Sequence, residues 1–177
     1  MARAKLWGWA TLLLMLGGCT GVNIDDYANG TPALTPQYFV GPVKAWGIVH
    51  KRSGKVVQRF VVNMNGETIK GDLFLHEHFI FDDGHTRDRT WKLSPVPGEA
   101  GHYSGSAGGV VGFADVTARG NAMHWLYLMD LPVKDNTYRL SFDDWMFALD
   151  DKTVVGLVSM RKFGFVVGEV NVFMQKQ

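Results

Sequence analysis

The chain has 177 residues, of which 46% are hydrophobic and 20% charged, the balance of one folded domain and not of a disordered tail. Formal charge is +1, and −1 once the N-terminal Arg3 and Lys5 are set aside, so there is no basic field for nucleic acid. A single cysteine excludes an intramolecular disulfide and any CxxC metal or redox site.

Arg3 and Lys5 precede an apolar run over residues 6–16, which has the length of a signal-peptide core and falls short of the ~20 residues a membrane-spanning helix needs. The run ends in Leu16-Gly17-Gly18-Cys19. Small residues ahead of a thiol resemble the lipobox of bacterial lipoproteins, so cleavage is expected between Gly18 and Cys19, with residues 1–18 as signal peptide. Acyl chains on Cys19 are then the link to a membrane. Each buried methylene contributes about 0.8 kcal/mol, so several chains anchor where one holds marginally. Thr20, in place of Asp after the cysteine, resembles the sorting pattern of outer-membrane lipoproteins, which implies the periplasmic face of that membrane.

Residues 19–36 contain Asn29-Gly30, Pro32 and Pro36 without sustained periodicity and read as a lipidated N-terminus and tether. From Gln37 to Gln177 the pattern is strand and turn. Residues 55–64, 68–82, 87–93, 112–118, 122–129, 137–149, 153–160 and 165–174 are rich in Val, Phe, Tyr, Trp and Thr. Turn chemistry separates them at Asn65-Gly66, Asp82-Asp83-Gly84, Gly98, Gly120-Asn121, Asp135-Asn136 and Asp150-Asp151. About eight to ten antiparallel strands in one domain predict an all-β, up-and-down barrel or a sandwich, and closure is favoured because it removes exposed edges.

In the hairpin over residues 73–93, Leu73, Leu75, Glu77, Phe79 and Phe81 share one face, and Phe74, His76, His78 and Ile80 the other. On the return strand Arg87, Arg89, Trp91 and Leu93 lie together. If both odd-numbered sets face inward, the turn around Asp83-Gly84 has odd length and Glu77 meets Arg89 or Trp91. A carboxylate and a guanidinium are then enclosed among rings, where neither charge is tolerable alone. Asn121, Trp125 and Tyr127 share one face of a later strand, and Asp143-Asp144 puts adjacent acids on opposite faces, one of them able to reach the interior. Glu77, Arg89, Trp91, Asn121, Trp125, Tyr127 and Asp144 are therefore the candidate cavity residues. His76 and His78 stand at strand spacing without a third ligand identifiable by spacing, and a polar outer face explains them better than a metal.

Several segments together resemble a known family: Tyr38-Phe39-x-Gly41 with Ala45-Trp46-Gly47, Leu75-x-Glu77-x-Phe79-x-Phe81-Asp82-Asp83-Gly84 with Arg89-x-Trp91, Tyr103-x-Gly105-x-Ala107, Gly120-Asn121-Ala122, Asp143-Asp144-Trp145-Met146 and Lys162-Phe163-Gly164. They resemble the Gram-negative lipoproteins catalogued as domain of unknown function 3833. The resemblance implies a lipocalin-like barrel and an outer-membrane address, and it supplies no activity. The chain departs from the family pattern at Gly109, where an acid is usual, and at Gly156-Leu157, where Asn-Arg is usual.

Three functions follow, in descending order: a binding module that holds a lipid or other hydrophobic molecule, an envelope scaffold that engages a protein through its outer surface, and an enzyme on lipids or envelope components with Glu77 or Asp144 as acid or base. The chain has no GxSxG elbow, P-loop or GxGxxG, and its only thiol is the lipid acceptor, which weighs against catalysis. No cofactor or metal is implied, and no protein partner is identified.

Overall fold

The computed structural model describes residues 21–133 and 135–177, so the expected signal peptide and the expected lipidation site at Cys19 lie outside the described residues. Alternation of apolar and polar residues, broken at turn residues, gives ten antiparallel strands: β1 (Gly41–Lys51), β2 (Val56–Ile69), β3 (Asp72–Phe81), β4 (Thr86–Pro95), β5 (His102–Ser106), β6 (Val110–Arg119), β7 (Ala122–Val133), β8 (Asn136–Ala148), β9 (Thr153–Lys162) and β10 (Phe165–Lys176). Each pairs with the next, and β1 pairs with β10, so the sheet closes into an up-and-down barrel without a free edge. The core is the inner wall. Val43, Val62, Leu75, Trp91, Val116, Trp125, Phe142, Val154 and Met174, one from each strand except β5, are buried there.

The β3–β4 hairpin has the expected parity. Leu73 faces Leu93, Leu75 faces Trp91, and Glu77 faces Arg89, which settles the open choice of partner for Glu77. Asp82, Asp83 and Gly84 form the turn: the Gly84 amide donates to the Phe81 carbonyl, and the Phe81 amide to the His85 carbonyl. A three-residue loop of this kind needs a left-handed residue at its last position, and Gly84 takes it at φ +88°.

Two strands, β1 and β5, fall outside the eight runs marked in the sequence, and one turn is misplaced there. Asn65-Gly66 lies inside β2, and the chain reverses instead at Lys70 and Gly71, both at positive φ. Gly66 serves another purpose. A Cβ on it would lie 2.1 Å from the Phe39 carbonyl oxygen, so only glycine lets the preceding segment cross the barrel wall there.

That preceding segment is the part read as a tether. From Asn23 onward it packs on the barrel, through two short 3-10 turns at Ile24–Tyr27 and Pro36–Phe39. Arg119 binds Asp25, the Leu34 amide donates to the Gly120 carbonyl at 2.7 Å, and the Tyr27 ring packs on Trp145 and Phe147. Leu34 and Phe39, each 1% exposed, fill the end of the barrel where β2 turns into β3 and β6 into β7. Lys176 fixes the backbone on either side of Phe39 by donating from Nζ to the Tyr38 and Val40 carbonyls at 2.8 and 2.6 Å. This end is sealed. Among the described residues, the opposite end carries only the turns after β1, β3, β5, β7 and β9.

Candidate functional site: a one-ended barrel cavity

Above the sealed half, the inner wall encloses a cavity of about 320 Å³, within the range of small-molecule sites. Its sides are apolar, with Phe60, Val62, Phe79, Met129, Phe142, Val158, Met160 and Val172 contributing. Gln58, Phe81, Arg87, Leu131 and Val170 line it toward the open end. Gly156 is the only lining residue without a side chain; a Cβ there would touch Met174 and Val172 at ordinary distances, so its absence widens the interior.

Four polar side chains converge at depth: Glu77, Arg89, Tyr127 and Asp144. Strand parity puts them there, since odd residues of β3, β4 and β7 and even residues of β8 point inward. Arg89 Nε donates to Glu77 Oε2 at 2.5 Å, and the guanidinium lies 5.1 Å from the Phe79 ring centre and 5.3 Å from that of Trp91. Burial works against the Arg89 charge, but the charge and hydrogen bond of Glu77, with Tyr127 and Asp144 behind, outweigh it and raise its pKa. Tyr127 stacks on Phe142, and burial, then the Asp144 charge, pushes its phenol above the ordinary value.

Asp144 is the unusual member. It is 8% exposed, and burial pushes its carboxyl up to about 7; the Arg89 charge opposes this, and the charges of Glu77 and Asp143 add to it. Its Oδ1 has no hydrogen-bond partner among the described residues. Neither has the indole Nε1 of Trp125, which sits opposite Asp144 on the neighbouring strand. Buried polar atoms are rarely left unpaired in a native protein, and Asp144, which lines the cavity, marks a place where a polar group from outside belongs.

Six of the seven sequence candidates lie in or directly beneath this cluster. Trp91 and Trp125 form the floor, their rings edge to face at 5.2 Å, and Trp91 meets Tyr127 at 5.3 Å. Asn121 does not join them. It sits in the β6–β7 turn at the sealed end with its side chain against Gly30, because it precedes β7, whose inward alternation begins at Met123. Asp143 faces outward, where His124 Nε2 meets its Oδ1 at 2.8 Å. His76 and His78 also lie on the outer wall, against Thr90 and Glu67, and Asp88. Among the described residues no group of three or more His, Cys, Asp and Glu side chains could hold a metal ion. Arg87 and Gly156 line the cavity without having been singled out as cavity residues. Parity alone would have found Arg87, which shares its face with Arg89.

Solved structures with a similar fold include the S-type phycobiliprotein lyase CPES from Guillardia theta, at a TM-score of 0.57 and 6% identity over 80% of this chain and 90% of that one. A redesigned β-barrel, mFAP1, bound to DFHBI matches at a TM-score of 0.42 and 8% identity, over 80% and 97% of the two chains. At these identities the likeness is one of fold. No curated protein matches the chain. A family model does: the one described as protein of unknown function (DUF3833) matches residues 13–176, a span that takes in every strand of the barrel, and the chain belongs to that family.

Proposed function

We propose that this protein is a lipid-anchored binding barrel of the bacterial outer membrane, facing the periplasm, which holds a lipid or another small hydrophobic molecule with an uncharged polar group at one end. The observation that carries the reading is the pairing of an apolar cavity, open at one end, with the unpartnered Asp144 Oδ1 at its depth. Apolar walls with a few placed polar groups are how such sites take and orient a ligand. Arg89 and Glu77 balance one another, so a hydroxyl or amide fits the cluster better than a net charge does. The anchor rests on the sequence pattern of Arg3 and Lys5, the apolar run over residues 6–16 and Leu16-Gly17-Gly18-Cys19.

Titration with the neutral fluorophore N-phenyl-1-naphthylamine tests the cavity. One-to-one saturable binding is expected, with energy transfer from Trp91 and Trp125 beneath it. Replacing Gly156→Leu adds a side chain into the cavity and is expected to weaken binding by about tenfold or more while the far-ultraviolet circular dichroism stays unchanged. No saturable binding, together with no small molecule in an organic extract of the purified protein, would refute the reading. For the anchor, mass spectrometry of protein purified from native membranes is expected to show an acylated N-terminal Cys19; an unmodified sulfur would remove it.

A further inference from the structure

We propose that the open end of the barrel docks on an anionic lipid bilayer, through two neighbouring turns that carry unpaired cations and exposed apolar tips. Because β1 pairs with β10, the β1–β2 and β9–β10 turns stand side by side at this end. The first carries Lys51, Arg52 and Lys55, the second Lys162, and none of the four is in an ion pair among the described residues. Arg161 is partly engaged by Asp143 at 3.8 Å. Residues 51–57 and 161–167 contain no acid. The adjoining β3–β4 turn has Asp82 and Asp83, but Arg59 holds the first and His85 the second, and Glu169 lies beside His50.

The apolar half of the surface is at the tips. Phe163 is 89% exposed, Phe165 69%, and Val56 and Val57 close to half. Phe163 also sits at φ +52°, followed by Gly164 at +84°, the conformation of a tight hairpin turn that favours Asn or Gly at the first position. A bulky ring there is unfavourable for the turn and contributes nothing to the core, so the core does not account for it. Lys162 Nζ lies over the rings of Phe163 and Tyr138, at 5.5 and 4.6 Å, so cation and ring are presented as one unit. Rings that enter a fluid interface, flanked by long cationic side chains that reach lipid phosphates, fit a bilayer carrying negative charge.

The chain from residue 21 onward contains every strand and the sealing segment, and it lacks Cys19, so acylation does not confound its use. Sedimentation with vesicles of phosphatidylcholine containing about 30% phosphatidylglycerol is expected to capture it at least about tenfold more strongly than pure phosphatidylcholine, and capture is expected to fall steeply between about 0.05 and 0.5 M salt. Phe163→Asn is expected to lower capture by about tenfold while the melting temperature holds or rises, since Asn suits the turn. The pair Lys55→Glu and Lys162→Glu is expected to lose capture yet keep binding of N-phenyl-1-naphthylamine, which separates this surface from the cavity. Equal capture by neutral vesicles, or full capture of Phe163→Asn, would overturn the proposal. So would a photocrosslinker at position 163 that, in intact cells, labels a protein and no lipid.

Discussion

Asp144→Asn is expected to stabilise the protein by up to about 4 kcal/mol at neutral pH and to flatten its stability between about pH 4 and pH 7. The wild-type carboxyl titrates near 3.8 when the chain is unfolded and near 7 when it is folded, chiefly because burial disfavours its charged form. Below pH 4 both states hold the proton and the group is neutral to stability. As pH rises from about 4 to about 7 the unfolded chain releases that proton and the folded one retains it, so the unfolded state gains and stability falls. Above about 7 the difference is constant. Three units at about 1.4 kcal/mol each set the size of the effect. Asn keeps the shape and a donor without the charge, so the slope should vanish. Urea unfolding followed by tryptophan fluorescence from pH 4 to pH 8 measures it, and a slope unchanged in the variant would show that Asp144 is not its source. A bound ligand that donates to Oδ1 would lower the folded pKa, so the wild-type slope should shrink when ligand is present.

The second large effect belongs to Arg89. Arg89→Met removes the cation that Glu77 and Asp144 share and leaves acids enclosed by rings, a change that costs about 3–5 kcal/mol at neutral pH. Acidification protonates the Asp144 carboxyl, which burial already holds above the ordinary range, so part of the loss should disappear toward pH 4.5. Removing both charges, as Glu77→Leu with Arg89→Met, should restore much of the stability, because the desolvation of two ions is removed together. Denaturant midpoints of the two variants at pH 7.5 and pH 4.5 form the test. A loss below about 1 kcal/mol for Arg89→Met would mean that the pair behaves like a solvent-exposed bridge and that the interior is wet.

How much of this was legible in the sequence depended on how local the determining interaction is. The β3–β4 hairpin was readable because a period of two and a turn of odd length together fix its register, and they placed Glu77 against Arg89 as one of two choices. Asp144 and Tyr127 follow from the same alternation. The strand β5 was missed because His102–Ser106 is five residues of small and polar character, and β1 because Pro42 and Gly47 interrupt its apolar pattern. Asn65-Gly66 looked like a hairpin turn, yet its glycine answers to the Phe39 backbone, 27 residues earlier in the chain. The sealing segment had no periodicity to read. It is held by single contacts such as Leu34 to Gly120, which no window of sequence contains. Whether the interior is packed or hollow depends on how side chains from all ten strands meet on the axis, and the strand period is silent on that.

The position of the seal has a consequence for direction. The N-terminal segment joins the body at the plugged pole, where Arg119 grips Asp25, and the opening lies at the other pole. From Cys19 to Asn23 a fully extended chain reaches at most about 14 Å. Strands of ten to fourteen residues, leaning as barrel strands do, give a body roughly 25–30 Å long. An acyl group on Cys19 would therefore keep the plugged pole beside its own leaflet and turn the mouth outward, on too short a leash to swing it back. Cargo would be loaded and released on the far side, and the charged surface met by Phe163 and its lysines would belong to a different sheet of lipid from the one that bears the anchor.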